Sequence, residues 1–497
     1  LVAHWPLVNG SANDAENATK GASSTDHDLT AVGSPAQDYD AFSVDVYNNS
    51  TTTDGAFTVT QGKVEGKALS SVDFSGDTQL ISCTSNTFFN GKTAFSVSAW
   101  IKPDAVNISF QTVVNARDSG NDGMALSVLN QTVRLRIGDG SSDDLVTGNV
   151  ITSADRWYHL VATRDASNNT AIYVDGVLST TGSSSKTISV SSGNFGIGGR
   201  PSATSADEYN GEIRDVGCWS YDLSAEQVAS LYSGTYPQTP NHEYKLDEGS
   251  GTTVNDTGTE TAANGTITGA TYTNGTLDLD GILAIAANGT LSAPRGNMTL
   301  AGTVKAFENA GTFTHNNGTV VFDNGADVAQ SIQDDESATT AFYNLTNNRG
   351  GASYHLYIKG DITVENTLLN QTGFVNLYGP NTLTMGTTTS AGAITMTSSG
   401  IRFYDNTSSA YAKIYGASTL YPFVYTGNEP DIDTYSSNAS HVAFKNGDIQ
   451  VAMTGDYQGG IVRLDGDMEF DAVTVNSGDT LDLNGQRVEF GGDFTGN

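Results

Sequence analysis

The sequence predicts an all-β protein, with an antiparallel jelly-roll sandwich at its N-terminal end followed by irregular β-solenoid or β-sandwich repeat modules. Three observations support this fold class. Gly is abundant at 55 of 497 residues, as are Ser, Thr, Asn and Asp, and few stretches have helical spacing. Apolar and polar residues alternate in strand after strand. Turn signals recur about every 8–12 residues, which is typical of all-β architectures.

The first 236 residues predict a sandwich with one buried face per sheet. "DGMALSVLNQTVRLRIGDG" (122–140) indicates two strands around an Asn-Gln turn, and "RWYHLVATRD" (156–165) is followed by a partner strand, "TAIYVDGVLST" (170–180). "AFSVSAWIKP" (94–103) alternates in the same way. We expect the core to include Phe95, Val97, Trp100, Leu126, Leu135, Trp157, Leu160, Ile172, Val174, Ile213 and Val216.

One segment interrupts the strands and predicts a short helix that closes this domain. "LSAEQVASLYSG" (223–234) places Ser224 at the N-cap, Gln227 at the capping-box position and Gly234 at the stop.

The boundaries of the domains follow from composition. "GTYPQTPNH" (234–242) carries two prolines and indicates a linker. We therefore divide the sequence into a sandwich (1–236), a linker with a divergent β module (237–300) and a Gly/Asn/Thr-rich β-repeat region (301–497), which we expect to continue beyond the given chain. Segments such as "VNLYGPNTLTMG" and "LDLNGQRVEFGG" repeat one scheme, but their unequal spacing argues against a strict solenoid.

The charge of the chain limits its partners. Fifty-five Asp and Glu against 23 Lys and Arg give a net charge of −32. A chain so poor in cations is not expected to bind nucleic acid, whose affinity comes from neutralised phosphates. No run of about 20 apolar residues predicts insertion into a membrane. An acidic, lysine-poor surface suits a protein that works in salt water or outside a cell, or alternatively serves only to keep the protein soluble.

Residues 1–236 resemble a laminin-G-like domain of the concanavalin A-like lectin/glucanase superfamily. The segments that carry the resemblance are "AHWPL", "FSVSAWIKP", "DRWYHLVATRD", "IYVDGV", "NFGIGGR" and "GEIRDVGCWSYDLSAEQVASLY". The resemblance implies two antiparallel sheets of about six or seven strands each. The C-terminal half resembles, through "GTFTHNNGTVVFDNG" and "AFYNLTNNRGG", the β-repeats of large bacterial adhesins and of marine tailed-phage structural proteins.

The segment 156–177 gathers residue types that enzymes use, namely Trp157, His159, Arg164 and Asp175. No nucleophile is paired with a base here, and "VDG" is a tight-turn signal, so we favour a structural hairpin. The glucanase branch of the superfamily needs carboxylates at E-x-D-x-x-E spacing, and this triplet is absent from the sequence. The chain is therefore expected not to be an enzyme.

Relatives in this superfamily often hold Ca²⁺ at the sandwich rim, and three oxygen-rich loops here offer ligands. The candidate calcium ligands are Asp118, Asp122, Asp139, Asp144 and Asp207, although acidic loops are more often simply solvated. Three aromatic residues are candidates for stacking on sugar rings, or alternatively belong to the core or a sheet edge: Trp219, Tyr209 and Tyr221.

The two cysteines, Cys83 and Cys218, lie in strand-like segments 135 positions apart and have no metal-binding spacing. They are either a pair of buried free thiols or a disulfide. The family resemblance implies that their strands lie close together, because the fold brings its first and last strands into neighbouring positions.

We expect a non-enzymatic surface or virion fibre or adhesion protein, with a lectin-like head for glycans or host surfaces on a β-rich stalk. One alternative is a purely structural filament or capsid-decoration subunit without a ligand. Another is the accessory binding module of a polysaccharide-degrading enzyme. The expected partners are other copies or structural subunits and, through the head, glycans. The expected location is extracellular, on a cell surface or on a virion.

Overall fold

The computed structural model describes residues 30–31, 57–65, 70–75, 78–83, 87–106, 111–117, 121–190, 195–201, 208–232, 238–279, 281–302, 304–324, 329–333, 340–348, 355–397, 399–404, 410–430, 441–453 and 460–496. These residues form 41 strands and one helix, which confirms the predicted all-β class. They divide into two compact units, the sandwich (70–275) and the solenoid (30–31, 57–65 and 276–496). No helix in this described part is long and apolar enough to cross a bilayer.

The strands are numbered in chain order and begin with β1 (Thr30–Ala31) and β2 (Phe57–Glu65). Those of the sandwich, with its helix, are β3 (Ser71–Phe74), β4 (Leu80–Cys83), β5 (Phe95–Pro103), β6 (Gln111–Ala116), β7 (Asp122–Leu129), β8 (Thr132–Asp139), β9 (Asp143–Val150), β10 (Tyr158–Arg164), β11 (Asn169–Val174), β12 (Val177–Ser183), β13 (Phe195–Ile197), β14 (Gly211–Trp219), α1 (Ala225–Tyr232), β15 (His242–Tyr244), β16 (Thr253–Val254), β17 (Gly265–Thr268) and β18 (Thr271–Thr273). The solenoid continues with β19 (Leu277–Leu279), β20 (Leu283–Ser292), β21 (Asn297–Leu300), β22 (Val304–Asn309), β23 (Thr312–Thr314), β24 (Thr319–Phe322), β25 (Gln330–Ile332), β26 (Thr340–Asn348), β27 (His355–Ile358), β28 (Ile362–Thr372), β29 (Phe374–Tyr378), β30 (Thr382–Met385), β31 (Ala393–Met396), β32 (Ile401–Tyr404), β33 (Ala412–Gly416), β34 (Phe423–Gly427), β35 (His441–Lys445), β36 (Gly447–Met453), β37 (Ile461–Leu464), β38 (Met468–Val475), β39 (Thr480–Asp482), β40 (Val488–Phe490) and β41 (Phe494–Gly496).

Two antiparallel eight-stranded sheets build the sandwich. The helix-side sheet has the order β12-β11-β10-β5-β14-β3-β18, with β15 also paired to β14. The second sheet has the order β16-β17-β4-β13-β6-β7-β8-β9 and is called the arginine sheet below. Alternation along β10 explains the packing, because Leu160 and Ala162 face the main core while Val161 faces a smaller cluster beside the helix.

The structure corrects three of the predicted core residues. Trp100, Trp157 and Val174 are only partly buried, whereas the other eight are buried. Val174 packs against the margin of the core. Trp100 and Trp157 instead pack on the guanidinium group of Arg214, because the neighbours of Trp100 in β5, Ala99 and Ile101, already take the inward positions.

The sandwich continues past residue 236, where the sequence places its end. Within β14, residues Gly211–Ile213 pair with β3, and residues Val216–Cys218 pair with β15. β17 and β18 then pair with β4 and β3. β2 pairs in parallel with β20 and so belongs to the solenoid. The described residues 238–275 therefore belong to the same compact unit as the sandwich.

The helix matches its predicted start. The Ser224 amide donates to Gln227 Oε1 at 2.8 Å, and the Gln227 amide donates back to Ser224 Oγ at 3.3 Å. This reciprocal pair is a capping box. Gly234, the predicted stop, lies outside the described residues.

The solenoid is built from parallel strands that stack turn on turn. One line of side chains runs through ten successive strands in register, and all but its last member are buried: Leu277, Met298, Val320, Leu345, Leu368, Ile394, Tyr425, Ile449, Phe470 and Phe490. Successive members are 20 to 31 residues apart. The solenoid is therefore irregular in turn length but continuous in its core, because the extra residues fall between the strands.

Candidate functional site

The outward face of the arginine sheet is lined by small residues on β7 and by arginines on β8. Ser127 lies opposite Arg134, and Ala125 lies opposite Arg136, while the alternate pair of Leu126 and Leu135 faces the core. Two further arginines, Arg117 and Arg200, approach the same face from loops, so that four of the twelve arginines of the chain gather here. We call this set, Arg117, Arg134, Arg136 and Arg200, the arginine face.

The guanidinium groups of the arginine face influence one another. Burial lowers the pKa of Arg117, and the positive charge of Arg136 lowers it further, with Arg200 adding a smaller effect. Asp143 opposes this shift and pairs with Arg136, whose Nε lies 2.8 Å from Asp143 Oδ2. Arg117 Nε also donates to the backbone oxygen of Asp122 at 3.0 Å. Backbone and carboxylate oxygens thus hold these cations in place.

Some polar atoms on this face have no hydrogen-bond partner among the described residues. Ser127 Oγ and Arg134 Nε are both shielded from solvent, and neither makes a hydrogen bond. Asn115, opposite Ala125, uses its amide to bind the backbone oxygen of Arg117 at 3.0 Å. An unmade hydrogen bond at a buried group costs about 1–3 kcal/mol, so these atoms favour a polar ligand that supplies it.

The sequence carries a signal for part of this face, although we did not predict the face from it. In "VRLRIG", Arg134 and Arg136 alternate with the buried Val133, Leu135 and Ile137, which directs both cations to one side of the strand. No local pattern indicates that the other two arginines of the face join them, because each lies in a loop at least fifteen residues from this strand.

Two of the predicted calcium ligands lie at the rim next to this face. Asp122 and Asp139 are opposite one another on β7 and β8. Asp139 Oδ1 accepts from both the amide and the hydroxyl of Ser141 and from the amide of Ser142, while Lys186 Nζ lies 3.2 Å from its Oδ2. These contacts lower the pKa of Asp139.

The remaining predicted ligands are more dispersed. Asp144 Oδ2 accepts from the Ser184 hydroxyl at 2.8 Å, and Asp118 and Asp207 lie outside the described residues. Among the residues that the structure describes, no group of three or more His, Cys, Asp or Glu is arranged to hold a metal ion. Calcium binding stays a prediction.

Two of the three aromatic candidates for sugar stacking are buried. Tyr209 is 1% exposed and lies edge-on to Phe74 inside the core. Trp219 is also 1% exposed and packs in the cluster beside the helix with Leu223. Neither ring has a face that a sugar can reach, because aromatic residues in sandwich strands are drawn into the cores on both sides of the sheet. Tyr221 is 37% exposed and is the accessible one of the three.

The hairpin over 156–177 uses its polar residues for structure. Asp175 (φ 51°) and Gly176 (φ 76°) take the left-handed positions of the tight turn. Asp175 Oδ1 accepts from the His159 amide at 2.9 Å, and its Oδ2 pairs with Arg156 at 2.9 Å. Its side chain thus ties the turn to the strand before it.

The rings of this hairpin form a stack on the outside of the helix-side sheet. His159 lies near both Trp100 and Tyr232, with ring centroids 5.0 and 5.9 Å away. Burial, and then the charge of Arg214, lowers the pKa of His159 to about 3, so this imidazole is neutral at physiological pH. A neutral, enclosed histidine without a nucleophile beside it has a packing role.

The cysteines are both buried free thiols in the structure. Burial raises the pKa of Cys83 to about 12 and raises that of Cys218 as well, with the proximity of Cys83 adding to the shift in Cys218. The two residues belong to strands of different sheets, β4 and β14, that contribute to one core cluster, and the closeness of these strands stays a prediction. His242 pairs with Cys218 in register and binds Asp256 Oδ2 through Nδ1 at 2.6 Å, a buried polar pair that we did not predict from the sequence.

Residues 74–229 match the family model described as the concanavalin A-like lectin/glucanases superfamily. This segment contains eleven complete strands of the sandwich, all of the arginine face and the first part of the helix, and the match agrees with the resemblance found in the sequence. The predicted likeness of the C-terminal repeats to adhesin and phage proteins stays a prediction. The comparison with curated proteins gives no match.

Several solved structures are similar to part of the chain. A Bacteroides ovatus ATCC 8483 protein assigned a carbohydrate-binding role is 21% identical over 41% of this chain, with a TM-score of 0.33, and the chain spans 59% of that protein. A heptameric SAP-like pentraxin from Limulus polyphemus is 18% identical over 34% of this chain and 84% of its own, with a TM-score of 0.29. The CBM40 of a Ruminococcus gnavus IT-sialidase, bound to α2,3-sialyllactose, is 15% identical over 34% of this chain and 99% of its own, with a TM-score of 0.28. At these scores the likenesses carry no functional conclusion.

Proposed function

We propose that the sandwich is a carbohydrate-binding module and that the whole chain is a non-enzymatic fibre or adhesion protein in which the solenoid serves as the stalk. The arginine face is the observation that carries this proposal. Its charged and polar atoms include a buried hydroxyl and a guanidinium nitrogen without partners, Ser127 Oγ and Arg134 Nε. The match of residues 74–229 to a lectin-containing superfamily supports the same role.

The chemistry of the face favours a sugar with hydroxyl and carboxylate groups. Arginine presents a planar set of donors that fits a carboxylate or two neighbouring hydroxyls. Ala125 and Ser127 are each 1% exposed, so a sugar would approach the partly exposed side chains of Arg134 and Arg136 that stand beside them. Calcium at Asp122 and Asp139 would add a further site for sugar hydroxyls at the rim, and we retain it as part of the proposal.

The non-enzymatic part of the proposal rests on the arrangement of carboxylates. Glycoside hydrolysis needs two carboxyl groups that flank the scissile bond. On the arginine face, Asp143 is paired with Arg136, and Asp139 is engaged by Ser141, Ser142 and Lys186. An extracellular, cell-surface or virion location follows from a fibre role and from the acidic surface.

A glycan array probed with the whole chain tests the proposal. We expect binding to acidic glycans and at least about tenfold weaker binding in Arg134→Ala, since a charge-assisted hydrogen bond contributes about 1.5–3 kcal/mol. Arg487→Ala is the matched control, because it removes the same charge from an exposed site in the solenoid next to Glu489. A second array in the presence of a chelator tests the proposed calcium site. Binding that the chelator leaves unchanged would contradict the calcium site but not the arginine face.

Two outcomes would favour the rival functions. An array on which neither the wild type nor the control binds any glycan favours a purely structural filament or decoration subunit. Release of reducing sugars from β-glucans or from the glycans that bind would instead favour an enzyme, or a module of one. Equal loss of binding in Arg134→Ala and Arg487→Ala contradicts the assignment to the arginine face.

A further inference from the structure

A second surface with ligand-binding character lies on the outward face of the solenoid. β27, β29 and β32 are the last three strands of one of its sheets. Their inward residues fill the core, and their outward residues form the tyrosine platform, defined by Tyr357, Lys359, Asn376, Tyr378, Arg402 and Tyr404. In register, Asn376 lies between Tyr357 and Arg402, and Tyr378 lies beside Tyr404.

The three tyrosines form a continuous aromatic surface. Tyr378 and Tyr404 are stacked, with ring centroids 5.2 Å apart and planes 23° from parallel. Tyr357 meets both edge-on, with centroids 5.7 and 6.3 Å away. All three are half-buried, so part of each ring is open to solvent. Because Tyr378 and Tyr404 cover one face of each other, the apolar C–H face of a pyranose ring would pack on the outer side of this stack.

The platform is cationic in a strongly acidic chain. Lys359 Nζ lies 5.9 and 5.6 Å from the ring centroids of Tyr357 and Tyr378, and the Arg402 guanidinium lies 3.2 Å from that of Phe374. No Asp or Glu is among the outward residues of these three strands. Asp361, two residues beyond Lys359, accepts a hydrogen bond from the Thr382 amide at 2.7 Å. Lys359 and Arg402 thus place two cations beside the aromatic rings of this surface.

Asn376 supplies an independent sign of a ligand. Its side chain is 0% exposed, yet neither Oδ1 nor Nδ2 makes a hydrogen bond to any residue that the structure describes. By contrast, the amide nitrogen of Asn370, which is also buried in the solenoid, donates to the backbone oxygens of Gly373 and Ser399, both at 2.8 Å. An unpaired buried amide costs about 1–3 kcal/mol for each bond not made, so its retention between Tyr357 and Arg402 calls for a compensating partner.

We propose that the tyrosine platform binds a carboxylated polysaccharide, that is, a chain of uronic acid residues. One sugar ring stacks on the Tyr378–Tyr404 pair, and its carboxylate pairs with Arg402 and Lys359. The amide of Asn376 bonds a hydroxyl or carboxylate oxygen that enters between Tyr357 and Arg402. This site lies in the solenoid and is separate from the arginine face of the sandwich.

Affinity electrophoresis of the whole chain in gels that contain polygalacturonate, dextran sulfate or dextran tests the proposal. We expect retardation by polygalacturonate, weaker retardation by dextran sulfate and none by neutral dextran. The experiment and the platform variants below are made in the Arg134→Ala background, because the arginine face is itself proposed to bind carboxylated sugars. Retardation that persists in this background belongs to the platform, so that failure of the sandwich site and failure of the platform are distinguished.

Three variants locate the binding. Tyr378→Ala and Arg402→Ala should each weaken it about tenfold, since stacking and charge-assisted contacts are each worth about 1–2 kcal/mol. Asn376→Leu should weaken it about fivefold while the melting temperature is kept or raised, which a purely structural amide would not do. Tyr411→Ala is the control, because that ring also lies under a cation, Arg463 at 4.2 Å, in another solenoid sheet.

The proposal is overturned by any of three results. The first is no retardation of the wild type by polygalacturonate, including the case in which dextran sulfate alone retards it, because the platform would then respond to charge density and not to a uronate. The second is equal retardation by neutral dextran, and the third is loss of retardation in Tyr411→Ala as large as in Tyr378→Ala.

Discussion

The sandwich and the solenoid are both all-β, yet they reach their cores in opposite ways. In the sandwich, antiparallel strands from distant parts of the sequence meet, as β14 does with β5 and β3, and one cluster of buried residues spans both sheets. In the solenoid, each parallel strand pairs with the corresponding strand one turn earlier and one turn later. Its core is a line of stacked side chains, so the stability of each turn depends chiefly on the turns directly before and after it.

This difference also decides where ligand chemistry can lie. A sandwich face combines residues from neighbouring hairpins and loops, as Arg134 from β8 and Arg117 from a loop do on the arginine face. A solenoid face repeats one outward position from turn to turn, as Tyr378 and Tyr404 do on the tyrosine platform. The first arrangement suits one compact ligand, and the second suits a polymer that lies across several turns.

The sharpest test of the comparison replaces one fully buried leucine in each unit. Leu160→Ala in the sandwich and Leu368→Ala in the solenoid should each cost about 2–5 kcal/mol. In hydrogen exchange, the sandwich variant should lose protection throughout its sheets, because it unfolds as one unit. The solenoid variant should lose protection mainly in β26, β28 and β31. Local loss in the sandwich together with uniform loss in the solenoid would reverse the comparison.

A second pair of variants compares two buried asparagines within the solenoid. Asn370 accepts from Asn347 at 2.7 Å and binds two backbone oxygens, so Asn370→Leu leaves several buried groups unpaired. We expect it to lower the free energy of unfolding by about 3 kcal/mol. Asn376→Leu removes an amide without partners and should be neutral or stabilising. Urea denaturation measures both, and equal destabilisation would show that Asn376 has a structural partner.

The sequence predicts the sandwich well where turns are encoded locally. The Asn130–Gln131 turn, the Asp175–Gly176 turn and the capping box of Ser224 all form as expected, because each depends on two to four adjacent residues. The assignment of two tryptophans to the core was wrong for a different reason. Trp100 and Trp157 meet Arg214, a residue of a distant strand, and no local pattern shows that this cation lies beside both rings.

The solenoid and the candidate sites are less predictable because they depend on register between distant strands. Ile394 and Tyr425 are neighbours in the core line and lie 31 residues apart in sequence, whereas Phe470 and Phe490 lie 20 residues apart. No fixed period therefore identifies the core strands. Asp122 and Asp139 were recognisable as rim carboxylates, but the engagement of Asp139 with Lys186 was not. A lysine 47 positions away reaches it only through the folded rim.

A third prediction concerns the stability of the sandwich at low pH, which depends on one of its histidines. His159 has a pKa of about 3 in the folded state, against about 6.5 when unfolded. Because the unfolded chain binds this proton first, the sandwich should lose stability as the pH falls from about 6.5 towards 3. One such group contributes about 1.4 kcal/mol per pH unit.

The variant His159→Phe tests this, since a phenyl ring can keep the stack with Trp100 and Tyr232 but cannot bind a proton. Its sandwich transition in calorimetry should fall less steeply with acid than that of the wild type, and the solenoid transition serves as the internal reference. An unchanged slope would mean that the other titrating groups of the sandwich dominate and that His159 does not.

The smallest expected effect is at the helix that covers the sandwich. Ser224→Ala removes the hydroxyl that accepts from the Gln227 amide and should cost about 1 kcal/mol. In a unit of this size that corresponds to a fall in Tm of about 2–4 °C. Ser224→Asp keeps an N-cap acceptor and should retain the wild-type value. Because Leu223 and Val228 bury the helix against Val161 and Trp219, we expect the loss to appear in the cooperative sandwich transition. A separate early transition, or exchange confined to the helix, would mean that the helix unfolds on its own. The sandwich would then share the local behaviour expected of the solenoid.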